Sequence, residues 1–266
     1  MNLDVLVSTM YDEKKIYKKM NIQGSAVIVN QADSENEENI KIKGNEALKF
    51  INSKDRGLSK SRNLAIKNSD AEICLFTDND VIFEDGYIDT ILTAYEKYPD
   101  ADIIAFTVES TSTDRSISSL KTGKVNRVMS MKVSSVQITF KRKIVEENDL
   151  YLNEKFGAGS DYFNSGEENI FLYQAIKKGL KMYYVDQKIA KVSFDDSTWY
   201  GKKPEKDLLT KGAMFYTMSP ILYPLYNIQF AIRKYKEYRD NFGFFEAIKI
   251  MFSGSRQGKK VYKNSN

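Results

Sequence analysis

Two carboxylates stand one residue apart in Asp78-Asn79-Asp80, directly after the apolar run 73–77. Acids so spaced at the end of a strand can work together on one oxygen-liganded cation. Mg2+ and Mn2+ favour one or two carboxylates, with phosphate oxygens and water completing the shell. The same tripeptide is also an ordinary Asx turn that ends a strand. A second acidic pair, Glu167-Glu168, follows Gly166 where a helix is expected to begin. There it suits the positive end of the helix dipole, and a carboxylate is equally able to take a proton from a hydroxyl. Histidine is absent from the 266 residues, and Cys74 is the single cysteine. Imidazole catalysis, His-rich metal cages, Ser-His-Asp triads and an intramolecular disulfide are therefore excluded. A general base must be a carboxylate, Lys, Tyr or Cys74. One cysteine fits a reducing cytosol.

The elements that would position these acids alternate between strands and helices. Leu3–Ser8, Ala26–Asn30, Glu72–Thr77, Asp102–Val108 and Val133–Phe140 read as strands, with shorter ones at Met182–Val185 and Ile189–Ser193. Helices are expected over Asp12–Met20, Leu58–Asn68 and Tyr87–Tyr98, the last with Ile88, Ile91, Leu92 and Tyr95 on one face. Another spans Glu167–Lys178, with Phe171, Leu172, Ala175 and Ile176 inward and Gly179 beyond its end. The polar run Asp33–Asn39 reads as a loop. Such alternation predicts an α/β sheet, largely parallel at first, with ligands beyond the carboxyl ends of its strands. Thr9 and Asp33, each following an early strand, are placed to touch a nucleoside.

About twenty residues before the acidic pair stands Asp55-Arg56-Gly57-Leu58-Ser59-Lys60-Ser61-Arg62-Asn63. With this stretch the sequence resembles the family-2 glycosyltransferases of GT-A fold, whose Gly-x-x-x-x-Arg-Asn element opens a helix ahead of an apolar strand and a D-x-D. Val5–Thr9 is similar to the family's first strand and nucleotide-contacting loop, and Gly166-Glu167-Glu168-Asn169 to its Gly-Glu-Asp-Asn. The resemblance covers about residues 2–198. It implies a GT-A (Rossmann-like) mixed, mainly parallel sheet flanked by helices, over residues 1–199. It implies a metal-dependent, inverting transfer of a sugar from a nucleotide-diphosphate donor, with uridine the default base, in bacterial surface-polysaccharide assembly.

The resemblance further implies direct ligation of Mn2+ or Mg2+ by Asp80. Asp78 would serve the ribose or donor sugar, or reach the metal through water. It places Ser8, Thr9, Asp33, Arg56, Gly57, Lys60, Arg62, Asp78 and Asn79 around the nucleotide sugar. Arg62, Lys60 and the N-terminus of the helix near Leu58 would face the diphosphate, although Lys60 reads equally as a solvated surface charge. Glu168, rather than Glu167, would be the catalytic base. Many relatives carry a histidine near the end of this domain. The corresponding stretch, residues 192–199, has none, so Ser193, Asp195 or water stands in, or metal affinity is weak. Trp199 and Tyr200 form either a lip over the acceptor or part of the core.

Residues 200–266 carry 13 Lys/Arg against 5 Asp/Glu, a net +8, whereas residues 1–199 carry 27 against 31, a net −4. Within this basic tail, residues 212–232 hold no charge but include Pro220, Pro224, Ser219, Asn227 and Gln229, which weakens a membrane span. Its tyrosines and phenylalanines, the cations Arg233, Lys234, Lys236 and Arg239, and the amphipathic stretch 242–252 suit helices lying on an anionic leaflet. Helices packed on the catalytic domain are the alternative. The expected setting is the cytoplasmic face of the membrane, since Met1–Met10 has no basic leader. A lipid-linked or glycan acceptor would meet the enzyme there. Two other readings compete. A sugar-nucleotide nucleotidyltransferase would open with a glycine-rich loop, which Ser8–Asp12 lacks. A non-catalytic binding protein would use the tail to grip nucleic acid, but no motif that reads nucleic acid is present.

Overall fold

The structure, a computed structural model, describes residues 1–41, 47–112, 117–193 and 204–263. Its first half comprises β1 (Leu3–Met10), α1 (Ile16–Lys19), β2 (Ala26–Gln31), β3 (Asn36–Lys41), β4 (Ala47–Ser53), α2 (Leu58–Lys67), β5 (Ile73–Asp78), β6 (Val81–Phe83) and α3 (Tyr87–Lys97). There follow β7 (Ile103–Ser110), β8 (Gly123–Val125), α4 (Arg127–Ser130), a 3-10 turn (Ser135–Gln137), β9 (Ile138–Lys141), α5 (Arg142–Asn148), α6 (Glu167–Lys177) and β10 (Met182–Val192). The C-terminal helices are α7 (Pro204–Met218), α8 (Tyr223–Arg233), α9 (Tyr235–Tyr238) and α10 (Phe244–Lys263).

The strands form one sheet in the order β3-β4-β2-β1-β5-β9-β7-β10-β6, with β8 pairing β10. β4, β2, β1 and β5 run parallel. β9 inserts antiparallel between β5 and β7, and β10 returns parallel to β7. Helices cover both faces, which is why the parallel strands are apolar throughout instead of alternating. Val5 and Val7 enter one core layer with Ile16, Met20, Tyr87, Ile91 and Tyr95 of α1 and α3. Leu6, pointing the other way, joins Cys74, Phe76, Ala65, Ile66, Phe171 and Leu172 in the layer under α2 and α6. This is the mixed, mainly parallel sheet that the sequence implied.

Several local expectations change. Asn36–Asn39, read as loop, belongs to β3, an edge strand polar but for Ile40, whose pairing with β4 supplies most of what its side chains do not. β4 itself was not anticipated. Val133–Phe140 is a strand only from Ile138, because Ser134 and Gln137 form a capping box around a 3-10 turn. The two short strands after Gly179 are one strand, β10, with register irregularities around Lys188 where exposed Asp186 and Gln187 break the apolar run. The helix expected over Asp12–Met20 shrinks to Ile16–Lys19.

A third core layer joins the tail to the body. Phe156, Phe163, Ile170 and Tyr173 pack with Leu208, Met214, Phe215, Met218, Ala231, Tyr238, Ala247 and Met251. α7 and α10 approach so closely that a Cβ on Gly254 would overlap the Leu209 carbonyl, and one on Gly212 the Met251 carbonyl. Most of the tail's apolar side chains are therefore packed inside the protein. Trp199, Tyr200 and Asp195 lie outside the described residues.

Candidate active site

Parallel pairing brings the sequence motifs to one edge. Ser8 of β1 lies opposite Asp78 of β5, and Thr9 opposite Asn30 of β2. Asn79 and Asp80 leave the sheet at this point. The Asp80 carbonyl accepts from the Ser193 N–H at 3.1 Å, so the segment expected to replace the histidine begins beside the acids; its residues 194–199 lie outside the described residues.

Arg62 is the hub. Projecting from α2, its guanidinium is 0% exposed and sits 5.6 Å over the Phe76 ring. Nη2 donates to Asp78 Oδ1 at 2.8 Å and to Ser135 Oγ at 2.9 Å, and Nη1 donates to Glu167 Oε1 at 3.0 Å. One side chain thus ties the acid at the end of β5 to the acid pair opening α6. Burial opposes its charge, but Asp78, Glu167 and Glu168 outweigh that and raise its pKa. Burial also pushes the Glu167 carboxyl up, to about 8; neighbouring Glu168 adds to this and Arg62 resists it. Glu167 is buried, whereas Glu168, one residue on, is partly exposed. Gly166 caps α6 at φ 99°, a left-handed value that favours glycine, and a Cβ there would press on Met214 of α7.

The loop before α6 is fastened to the start of α2. Leu58 N–H donates to the Ala158 carbonyl at 2.8 Å, Ser59 Oγ to the Phe156 carbonyl at 2.6 Å, and Gly57 N–H to Gln31 Oε1 at 2.8 Å. Asn63 clamps Leu152 through both its amide oxygen and its amide nitrogen. At the start of α2 the Gly57 and Leu58 N–H groups meet protein acceptors, and Arg62, expected to face the diphosphate, hydrogen-bonds Asp78, Glu167 and Ser135. The Arg-Asn pair builds the site from behind.

At the β2 side, Arg56 and Asp33 come together with a residue the motifs did not point to, Tyr11. Arg56 Nη2 donates to Asp33 Oδ1 at 2.6 Å and to the Tyr11 hydroxyl at 3.1 Å, and its guanidinium lies 5.4 Å over the Tyr11 ring. Tyr11 is exposed and held at φ 53°, an uncommon setting for a residue with a Cβ. Asp12 was also missed. Its Oδ2 accepts from the Thr9 hydroxyl and from Asn79 Nδ2, linking the ends of β1 and β5. Ser8 is buried and accepts from Ser61 Oγ at 3.0 Å. Lys60 lines a cleft of about 320 Å3 with Asp55, Asn63, Lys67 and Glu154. Cys74 is buried, and burial raises its thiol to about 12, which removes it as a base.

A largely parallel sheet with helices on both faces, and acids gathered beyond its strands' carboxyl ends, is an α/β nucleotide-binding enzyme architecture. Residues 27–159, half of the chain, match the model of glycosyl transferase family 2, and the chain belongs to that family. It is a glycosyltransferase; neither the nucleotidyltransferase nor the binding-protein reading stands. Among solved structures, Staphylococcus aureus TarS 1-349 in complex with UDP-GlcNAc superposes with a TM-score of 0.67 at 16% identity, covering 91% of this chain and 74% of that one. TarS 1-349 with UDP gives 0.65 at 13% identity, covering 100% and 92%. These likenesses establish the GT-A fold. No curated protein sequence matches the chain.

Proposed function

We propose that this enzyme moves a sugar from a uridine diphosphate sugar to a hydroxyl of a glycan or lipid-linked acceptor, in surface-polysaccharide assembly. The observation that carries this reading is the Arg62 bridge, which makes one site of the Asp78–Asp80 turn and the Glu167–Glu168 pair. The UDP and UDP-GlcNAc complexes of the TarS relative support the donor class. So does local chemistry: the Tyr11 ring beside Arg56 offers a flat face to a base, and the Asp33 carboxylate accepts from an N–H such as that of uracil.

Mn2+ or Mg2+ fits the residues present. Asp80 and Asp78 supply hard oxygen donors, and among the described residues no group of three or more Asp, Glu or Cys forms a closed cage. That leaves coordination positions for diphosphate oxygens and water, so the protein alone would hold the ion weakly. When bound, the ion supplies positive charge to a departing diphosphate.

Arg62 fixes the direction of Asp78. Glu168, the exposed member of its pair, takes the proton of the acceptor hydroxyl as that oxygen attacks the anomeric carbon from the side opposite the leaving group, which inverts the centre. Glu167 anchors the start of α6 through Arg62. A panel of nucleotide sugars with and without Mn2+ tests the reading. Transfer or hydrolysis of a UDP-sugar, lost in Asp80→Ala and Glu168→Gln, is expected. Turnover confined to a non-uridine donor would refute the donor assignment, and full activity in Glu168→Gln would refute the base.

A further inference from the structure

The outer face of α8 is apolar and uncovered. Leu225, Ile228 and Ile232 recur at helical spacing and are 62%, 41% and 62% exposed, and Ile221, in the turn that leads into the helix, is 86% exposed. The three helical residues make a stripe about 10 Å long at 1.5 Å per residue, which Ile221 extends. Its direction is fixed from the opposite face. There Asn227 and Ala231 are fully buried, and Asn227 Nδ2 donates to Ser255 Oγ of α10 at 3.0 Å. A lone exposed Leu is ordinary, but three in register on a helix of known orientation, with a fourth at its mouth, are not.

The charges around the stripe identify what covers it. From Leu208 to Lys236 there is no Asp or Glu. Exposed Arg233, Lys236 and Arg239 follow the stripe's end. Lys234 and Arg239 pair with Glu237 and Asp240, while Arg233 and Lys236 make no ion pair among the described residues. A two-fold dimer through α8 would need acids to receive Arg233 and Lys236, and those that follow the helix, Glu237 and Asp240, already pair with Lys234 and Arg239. No described helix is long and apolar enough to cross a membrane.

We infer that α8 is a membrane-docking helix, lying flat on an anionic bilayer with Ile221, Leu225, Ile228 and Ile232 among the acyl chains and Arg233 and Lys236 at the phosphates. α8 carries this stripe on its outer face, while Ala213, Met214 and Phe215 of α7 and Ala247 and Met251 of α10 face the core that holds the helix to the body.

Flotation of the full chain with vesicles is the test. Phosphatidylcholine vesicles containing about 30% phosphatidylglycerol should carry the protein at low salt, pure phosphatidylcholine much less, and high salt should weaken binding. Leu225→Glu/Ile228→Glu should reduce the bound fraction at least tenfold without changing the melting temperature, since both side chains are exposed. Arg233→Gln/Lys236→Gln should lower binding to the anionic vesicles only. Absence of binding to anionic vesicles, or binding unaffected by the double Glu variant, overturns the inference. So does a wild-type oligomer that the double Glu variant converts to monomer, which would mean that a second copy covers the stripe. The readout is binding, not turnover, so its failure leaves the transfer reaction untouched.

Discussion

A guanidinium sealed from water keeps its charge only while acids surround it, and Arg62 has Asp78 and Glu167 within hydrogen-bond reach. Arg62→Ala should cost about 3–5 kcal/mol, read from the urea midpoint, because it leaves the Asp78 carboxylate and the buried Glu167 carboxyl without their shared partner. Arg62→Lys keeps the charge, but one ammonium cannot serve Asp78, Glu167 and Ser135 together. A folded protein with lowered kcat is expected. Glu167 gives a pH signature. Its carboxyl is raised to about 8 from an ordinary 4.5, so the native state holds a proton that the unfolded chain releases. Stability should therefore fall as pH rises from about 4.5 to 8, and Glu167→Gln should remove that slope in urea titrations at pH 5.5 and 8.5. Cys74, with its raised thiol, should resist Ellman's reagent until the protein unfolds. The acids were legible from spacing and neighbours. Arg62's inward role was not, since a sequence shows a cation but not what encloses it. Tyr11 and Asp12 gave no signal beyond following the first strand.

Elements declared themselves where their apolar period was clean. β1, β2 and β5 are runs buried on both faces, and α3 and α6 carry regular inward stripes, so their bounds agree with the sequence to within about two residues. β3 was invisible because an edge strand with one apolar residue, Ile40, among Asn, Glu and Lys owes its form to its neighbour's backbone. The close pass of α7 over α10 was equally hidden, although it rests on glycines that can be counted. Gly254→Ala puts a methyl into the Leu209 carbonyl. A loss of at least about 1–3 kcal/mol is expected. At about 2–4 °C per kcal/mol for a chain of this size, calorimetry will resolve it.

At the scale of the whole molecule, the proposed reaction has the sheet supply one half of a metal and donor site and the ligand the other. Mn2+ alone should therefore shift the melting temperature little. UDP with Mn2+ should shift it strongly, since a ligand at about 100 times its Kd adds about 2.7 kcal/mol. An equal shift with Mn2+ alone would mean a preformed cage. The net charge changes sign near residue 199, and packing runs across that point. Ile170 and Tyr173, two turns or less from the acids, share their core with Leu208, Phe215 and Met251, and Met214 abuts Gly166 at the first turn of α6. Trimming the gene back to the end of β10 would strip the lining from the helix that presents Glu168. The shortened product should be recovered as insoluble aggregate, not as a working minimal enzyme.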